Sequence, residues 1–353
     1  MYNIVLIGCG HMGEVHLKDI YTRENINIYG VVDLQEERAR SFAKKFGADS
    51  YGTDYMRYLK DDRCDIVICA TYPESHLTIL KQCIQYKKHL LCEKPITADI
   101  ESAKEFVRLT KGADIKVLIG HILRHNETYQ KAADMIQKGQ IGHPLVMRMT
   151  QNHHVVNWEK YQSLLKNASP IVDCGVHYID ICRWFTGAEV TEVGGIASIL
   201  DAECPAGQYN YGLMTMRLSD GSIAYYEAGW SRSVAANNAK EFIGPKGRIK
   251  IIERENREYH EEGDLIEWYD KSTGSYHIIN VDCIRRPTGA QLMHLIKMIE
   301  DFEITDRLGI YAKWKVMAGL WKLNDKTLRQ YYEKSVAEDK SIEFSKKIKE
   351  IIG

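Results

Sequence analysis

The 353 residues carry 47 Lys and Arg against 48 Asp and Glu, a formal net charge of −1 with both signs interspersed. That balance offers no basic footprint for nucleic acid or an anionic membrane, so small-molecule partners are expected. With 44% hydrophobic and 27% charged residues the composition is that of an ordinary soluble globular protein, and the length exceeds what one core usually serves, so two domains are expected.

The first stretch organises the rest. Ile4-Val5-Leu6-Ile7 reads as a short buried strand and feeds the turn Gly8-Cys9-Gly10-His11-Met12-Gly13. A helix-compatible run follows, and a second apolar run, Asn27 to Val32, ends in Asp33. This is a dinucleotide-binding fingerprint. Gly8 allows the tight turn, Gly10 admits the pyrophosphate close to the backbone, and Gly13 lets the helix sit close on the sheet. The helix N-terminus aims free N–H groups at phosphate, and Asp33 is placed to accept from ribose hydroxyls. Leu34-Gln35-Glu36-Glu37 follow Asp33 with negative charge that would repel a 2′-phosphate, so NAD is favoured over NADP.

Strand-like runs recur at 3–8, 27–33, 65–70, 89–92 and 115–120, with helix candidates near 11–23, 35–46, 74–87 and 99–111. Alternation of this length implies right-handed crossovers and a doubly wound parallel sheet, an NAD-binding Rossmann domain over residues 1–122. One strand ends in Cys92-Glu93-Lys94-Pro95, which places Lys94 at the carboxyl end of the sheet, where ligands sit in such folds.

After Gly120-His121 the pattern changes, and residues 123–353 are expected to form a second, α+β domain for substrate binding. A helix is expected at 126–139 and a strand at 145–150, then a polar aromatic segment from Gln151 to Ala168. Within that segment His154 and Trp158 are expected to line the substrate pocket. His153 and His154 are adjacent on a strand and would face opposite ways, so at most one does. Too few ligands gather there for a metal, and no metal site is expected.

Ser169-Pro170 reads as a helix start with Ser as N-cap, the helix running to about Phe185 and stopping at Gly187. On it Asp173, His177 and Asp180 follow i, i+4, i+7 spacing and share one face, while Gly175 leaves room for another molecule. Strands and tight turns from 189 to 252 are expected to give antiparallel hairpins packed on this helix. The chain from about 288 is helical in pattern and ends in the charged run Lys340 to Gly353, read as a solvated face.

A neutral His can take the hydroxyl proton of a secondary alcohol near neutral pH, and an ammonium can stabilise the developing alkoxide. His177 is therefore the expected acid/base, Lys94 the polarising cation and Asp173 the group that orients a neighbouring hydroxyl.

These motifs, in this order, resemble the glucose-fructose oxidoreductase and inositol dehydrogenase (Gfo/Idh/MocA) family. The carriers are Gly8 to Gly13 with His16, Ala70-Thr71-Tyr72-Pro73 with His76, Cys92-Glu93-Lys94-Pro95, Gly139-Gln140-Ile141-Gly142, and Asp173 to Asp180. The resemblance implies nicotinamide-dependent oxidation or reduction of sugars, inositols or polyols, and an open sheet used for contact in a homodimer or homotetramer. It implies cofactor contacts from Gly8, Cys9, Gly10, His11, Met12, Gly13, Asp33, Thr71, Tyr72, Pro73, His76, Glu93 and Lys94. Lys94, Asp173 and His177 match its catalytic positions, and Arg124 matches an arginine that adds to the substrate contacts. The turn Asn167-Ala168-Ser169-Pro170 departs from the glycine-rich turn usual there, which bears on substrate identity. Competing readings are a dehydrogenase of a non-sugar substrate such as an aromatic dihydrodiol, and a cofactor-binding sensor without turnover. Nine cysteines without a C-x-x-C pair, no basic leader and no apolar run of about 18 residues fit a cytoplasmic protein.

Overall fold

The computed structural model describes residues 1–253, 263–284 and 286–300, so the expected charged run Lys340 to Gly353 lies outside the described residues. The chain divides into two compact units, the first formed by Met1–Gly120 with the helix Thr288–Glu300, the second by His121–Pro287.

In the first unit the elements are β1 (Tyr2–Ile7), α1 (His11–Ile20), β2 (Ile26–Val32), α2 (Glu36–Phe46), β3 (Tyr51–Gly52), α3 (Met56–Leu59), β4 (Ile66–Cys69), α4 (Pro73–Gln85), β5 (His89–Cys92), α5 (Ile100–Lys111) and β6 (Val117–Ile119). Ile4 to Leu6 and Ile66 to Cys69 have no exposure, which is why these strands read as unbroken apolar runs: helices cover both faces of the sheet. All pairings are parallel, in the order β3-β2-β1-β4-β5-β6. The order reverses between β1 and β4, so the loops after those strands diverge there, where ligands bind in doubly wound sheets. Gly47, left-handed at φ 70°, closes α2.

In the second unit a 3-10 turn over Ile122–His125 leads to α6 (Glu127–Gln137), β7 (Val146–His154), α7 (Trp158–Leu165), α8 (Pro170–Asp173) and α9 (Gly175–Thr186). Then come β8 (Val190–Ser198), β9 (Tyr211–Leu218), β10 (Ile223–Ser231), β11 (Lys240–Gly244), β12 (Gly247–Ile252), β13 (Asp264–Asp270) and β14 (Ser275–Val281). These eight strands, β7 among them, form one sheet in the order β14-β13-β12-β11-β7-β10-β9-β8, antiparallel except where β7 pairs with β10. Helices α6 and α9 cover one face, sharing a core with Met147, Met149, Met214, Tyr226 and Phe242. The other face carries exposed Ile196, Ile223 and Ile278.

Three expectations change here. The segment Gln151 to Ala168, to which the sequence assigns no element, holds two: β7 runs on to His154, and α7 begins at Trp158 with the Asn157 side chain accepting from the Lys160 amide. The helix from 170 is two helices. The His177 amide reaches the Cys174 carbonyl at 3.1 Å, an i to i+3 bond that tightens the turn and separates α8 from α9. Ser169 stands at the N-cap position, but its hydroxyl donates to Gln208 instead of capping α8.

The third is α10 (Thr288–Glu300), placed by the sequence division in the second domain. It packs in the first unit, where Leu292, Leu295 and Ile296 join Ile4, Leu17 and Ile20 in one core. Asp19 fixes its N-terminus by accepting from the Thr288 hydroxyl at 2.7 Å and the Gly289 amide at 3.1 Å.

Candidate active site

The glycine loop sits as its spacing demands. Gly8 is left-handed at φ 99°, and a Cβ there would lie 2.5 Å from the Ala70 carbonyl oxygen, so the loops after β1 and β4 touch through it. A Cβ on Gly13 would lie 2.2 Å from the Gly8 carbonyl oxygen, which is why α1 can close on β1. At Gly10, in contrast, a Cβ would meet nothing within 4 Å, and no side chain caps α1. An open backbone cradle at an uncapped helix N-terminus fits a pyrophosphate.

Asp33 takes the Cys9 amide on Oδ2 and the Gln35 amide on Oδ1, both at 2.9 Å, which ties the end of β2 to the glycine loop. Each carboxylate oxygen keeps a second lone pair for a ribose hydroxyl. The sequence reading finds no cation beside Asp33, and the structure corrects this. Arg38, one turn into α2, brings its guanidinium within 4.0 Å of Asp33 Oδ2. Burial first, then the Asp33 charge, pushes the Cys9 thiol up to about 12, so Cys9 sits in the loop as a neutral packed group.

Two residues expected to touch cofactor are interior ties. Glu93 is buried and its Oε1 lies 2.7 Å from His16 Nε2, which fastens α1 to the end of β5. Burial opposes its ionisation, but the hydrogen bond with His16 and the electrostatic pull of His16 and Lys94 outweigh it and hold the carboxyl below its ordinary range. His76 has no exposure, and its ring nitrogens lie 3.1 Å from the Pro95 carbonyl oxygen and 3.2 Å from that of Thr71. It therefore joins the loop after β4 to the turn after β5. Thr71, Tyr72 and Pro73 open α4 at the same end of the sheet, Tyr72 largely exposed, and Lys94 follows β5 there with its amide on Glu93 Oε2. His11 and Met12 form the exposed and half-exposed start of α1.

In the second unit Asp173 ends α8 and His177 lies in the first turn of α9, both half-buried. Cys174, between them, directs its thiol to Asp173 Oδ2 at 3.6 Å. Gly175 does not leave space for a ligand: a Cβ there would lie 3.1 Å from the Tyr226 ring, which stacks on Tyr178 at 4.5 Å and seats α9 on β10. Asp180 is buried and takes both forks of Arg124, at 2.7 and 2.8 Å, with Arg124 also lying over the Trp184 ring. Nε and Nη2 of Arg124 are thereby held by Asp180, which ties the 3-10 turn to α9.

His121 escaped the sequence reading. Its ring meets that of His177 edge-on at 6.2 Å and its Nδ1 lies 3.9 Å from Asp180 Oδ2, so the acid that keeps the i+3 spacing from His177 faces both histidines' neighbourhood. Lys240 also escaped it, although alternation along β11 puts it on the same face as buried Phe242. It has no exposure, contacts Asn238 and Glu253, and lies over the Tyr178 ring at 5.2 Å, directly beneath α9. Burial, partly offset by Glu253, pushes its ammonium down to about 8. Trp158 packs with Tyr161 and Cys174 around Trp230, under the Arg232 guanidinium, and so shares a cluster with the end of α8. His153 turns inward to the Tyr161 hydroxyl at 3.0 Å, while exposed His154 turns away to the Val234 carbonyl.

A parallel sheet in this strand order, with an open glycine cradle at its switch point, defines a nucleotide-binding Rossmann unit of the oxidoreductase type. The chain belongs to the Gfo/Idh/MocA family. Residues 2–121 match its oxidoreductase domain with an NAD-binding Rossmann fold, and residues 129–250 match its C-terminal domain. Among characterised relatives, the myo-inositol 2-dehydrogenase of Thermotoga maritima is 26% identical over 248 residues, 70% of this chain and 74% of that protein. The scyllo-inositol 2-dehydrogenase (NAD(+)) of Bacillus subtilis is 26% identical over 251 residues, 70% of this chain and 72% of that protein. A 3-ketoreductase from Actinomadura kijaniata, solved with NADP, shares the fold at a TM-score of 0.71 and 17% identity, covering 85% of this chain and 90% of that one. Among the described residues no helix is long and apolar enough to cross a membrane.

Proposed function

We propose that the protein is an NAD(H)-dependent dehydrogenase or reductase that interconverts a hydroxyl and a carbonyl carbon of an inositol, sugar or related polyol. The observation that carries this reading is the open space at Gly10 before the uncapped N-terminus of α1, beside an Asp33 already oriented by two amides. The names of the inositol dehydrogenase relatives support the substrate class. Bound there, a nicotinamide supplies the two-electron acceptor or donor that no side chain can.

Gly8 to Gly13 would hold the pyrophosphate and Asp33 the adenosine ribose. His177 takes the proton of the reacting hydroxyl in oxidation and returns it in reduction. Lys94 stabilises charge on the developing alkoxide oxygen, and Asp173 accepts from a neighbouring hydroxyl, fixing which carbon reacts. His121 and the Arg124 and Asp180 pair hold the His177 helix in place. For the cofactor form, Asp33 with Glu36 and Glu37 in the first turn of α2 supports NAD, since three carboxylates oppose a 2′-phosphate while Arg38 is one cation.

The test is nicotinamide absorbance across inositols, aldoses and other polyols, with His177→Asn beside the wild type. Turnover by the wild type that falls at least ~1,000-fold in His177→Asn, with NADH affinity kept within about threefold, is the expected result. Undiminished turnover in that variant overturns the assignment of His177.

A further inference from the structure

We propose that Cys69, Cys92 and His76 form a binding site for one thiophilic divalent cation of the zinc class, inside the first unit. Cys69 ends β4 and Cys92 ends β5, and the two are direct register partners across the parallel pair. His76 enters from the first turns of α4. All three have no exposure to solvent, and one ligand atom from each lies within 4.8 Å of the others. Zinc bound tetrahedrally at about 2.3 Å to sulfur and about 2.0 Å to nitrogen needs ligand separations of roughly 3.5–3.8 Å, so the cluster has only about 1 Å to close.

The histidine supplies the second, independent observation. Both ring nitrogens face carbonyl oxygens, of Thr71 and of Pro95, at hydrogen-bond distance. A metal takes the imidazole in its neutral form, with the single N–H on one carbonyl and the lone pair of the other nitrogen on the cation. At the Thr71 side, where the nitrogen and oxygen lie 3.2 Å apart, that spacing suits two ligands on one metal, and the carbonyl becomes the fourth donor. Two thiolates balance the dication, so the filled site is neutral overall, as a dry interior requires. Binding releases the two thiol protons. The sequence hides the site because its ligands stand at 69, 76 and 92, without the paired-cysteine spacing by which zinc sites are recognised.

The consequence is a staple. The metal would join the ends of β4 and β5 to α4 directly beneath the Thr71 loop and the Lys94 turn. It is independent of the reaction proposed above, and its test reads no turnover.

The full chain, purified under reductant and freed of metal by a chelator, is titrated with Co²⁺ and then Zn²⁺. About one Co²⁺ per chain with a thiolate-to-cobalt charge-transfer band in the near ultraviolet, displaced by Zn²⁺, is the expected result. Cys69→Ser and Cys92→Ser abolish the band, His76→Gln weakens binding roughly 100-fold, and Cys83→Ser, a buried cysteine outside the cluster, leaves both unchanged. Zn²⁺ also raises the melting temperature of the wild type and not of Cys69→Ser. A wild type that remains folded and reduced yet gives no charge-transfer band overturns the proposal, whatever the variants do. So does cobalt binding that survives in Cys69→Ser/Cys92→Ser, which places the ion on surface groups, and so does a protein isolated with Cys69 and Cys92 joined as a disulfide.

Discussion

Gly10→Ala and Gly13→Ala add the same methyl group three residues apart and separate cofactor binding from folding. At Gly10 the backbone has φ −89° and ψ −164°, open to any L-residue, and the new Cβ meets nothing within 4 Å. The fold therefore tolerates Gly10→Ala, and the stiffer unfolded chain adds about 0.4–1 kcal/mol of stability. The methyl fills the space into which a pyrophosphate would come. Losing one charge-assisted amide contact of about 1.5–3 kcal/mol raises the Kd for NADH roughly 10–100-fold. At Gly13 the Cβ would lie 2.2 Å from the Gly8 carbonyl oxygen and 3.2 Å from a Leu6 methyl, backbone against helix with no flexible end to yield. Gly13→Ala must push α1 off β1, costing about 1–3 kcal/mol and lowering the melting temperature by roughly 5–10 °C. Nicotinamide fluorescence titration and a melting scan on both variants decide the matter. Wild-type NADH affinity in Gly10→Ala, or a drop in its melting temperature matching that of Gly13→Ala, refutes the assignment of the cradle.

Three further outcomes follow from groups away from the reacting atoms. The Glu93 carboxyl is held below its ordinary 4.5, so its stabilisation is complete above that pH and is lost as pH falls through the lower folded value. The melting temperature should then fall more steeply below about pH 4.5 in the wild type than in Glu93→Gln, and equal slopes would remove Glu93 from the account. Lys240 runs the other way: its ammonium is at about 8 when folded against 10.5 when free, so the unfolded chain binds the extra proton between those values and stability rises with pH across that window. The rise, on the order of 3 kcal/mol in full, should be visible by chemical unfolding between pH 7.5 and 9.5 and absent in Lys240→Met; a flat wild-type profile contradicts the burial argument. Arg38→Ala should weaken NADPH binding roughly fivefold and leave NADH within about twofold, because only the 2′-phosphate draws on that guanidinium. Equal effects on both dinucleotides would detach Arg38 from cofactor choice.

What the sequence made legible was whatever local chemistry dictates over a few residues. The order of strand, glycine turn, helix and acid from Ile4 to Asp33 is local: Gly8 is required by its own backbone and Gly13 by the loop beside it, while Gly10 is left open. Long-range pairing was not legible. Arg38 follows four negative or neutral side chains in the sequence, and only the helical turn from 35 to 38 swings it back to Asp33. Glu93 and His76 stand beside residues of the cofactor end, yet the sheet turns them inward onto His16, Thr71 and Pro95. The resemblance implied contact with a ligand where the strand ends supply ties between loops.

The same distinction explains the helix that carries His177. Its composition reads as one helix because Ser169-Pro170 and Gly187 are sound start and stop signals, and Gly187 does close α9 at φ 69°. The break at Cys174 is marked by the bond from the His177 amide to the Cys174 carbonyl, and beside it the Tyr226 ring of β10 occupies the face of Gly175 that a longer side chain would fill. A glycine that admits a neighbouring ring and a glycine that admits a ligand look alike in sequence. Gly175 faces the Tyr226 ring, so packing accounts for it, whereas Gly10 opens onto empty space and packing does not account for it. Gly175→Ala should accordingly change stability before it changes any affinity, the reverse of Gly10→Ala, and an affinity loss at unchanged melting temperature would show that the space beside Tyr226 serves a ligand after all.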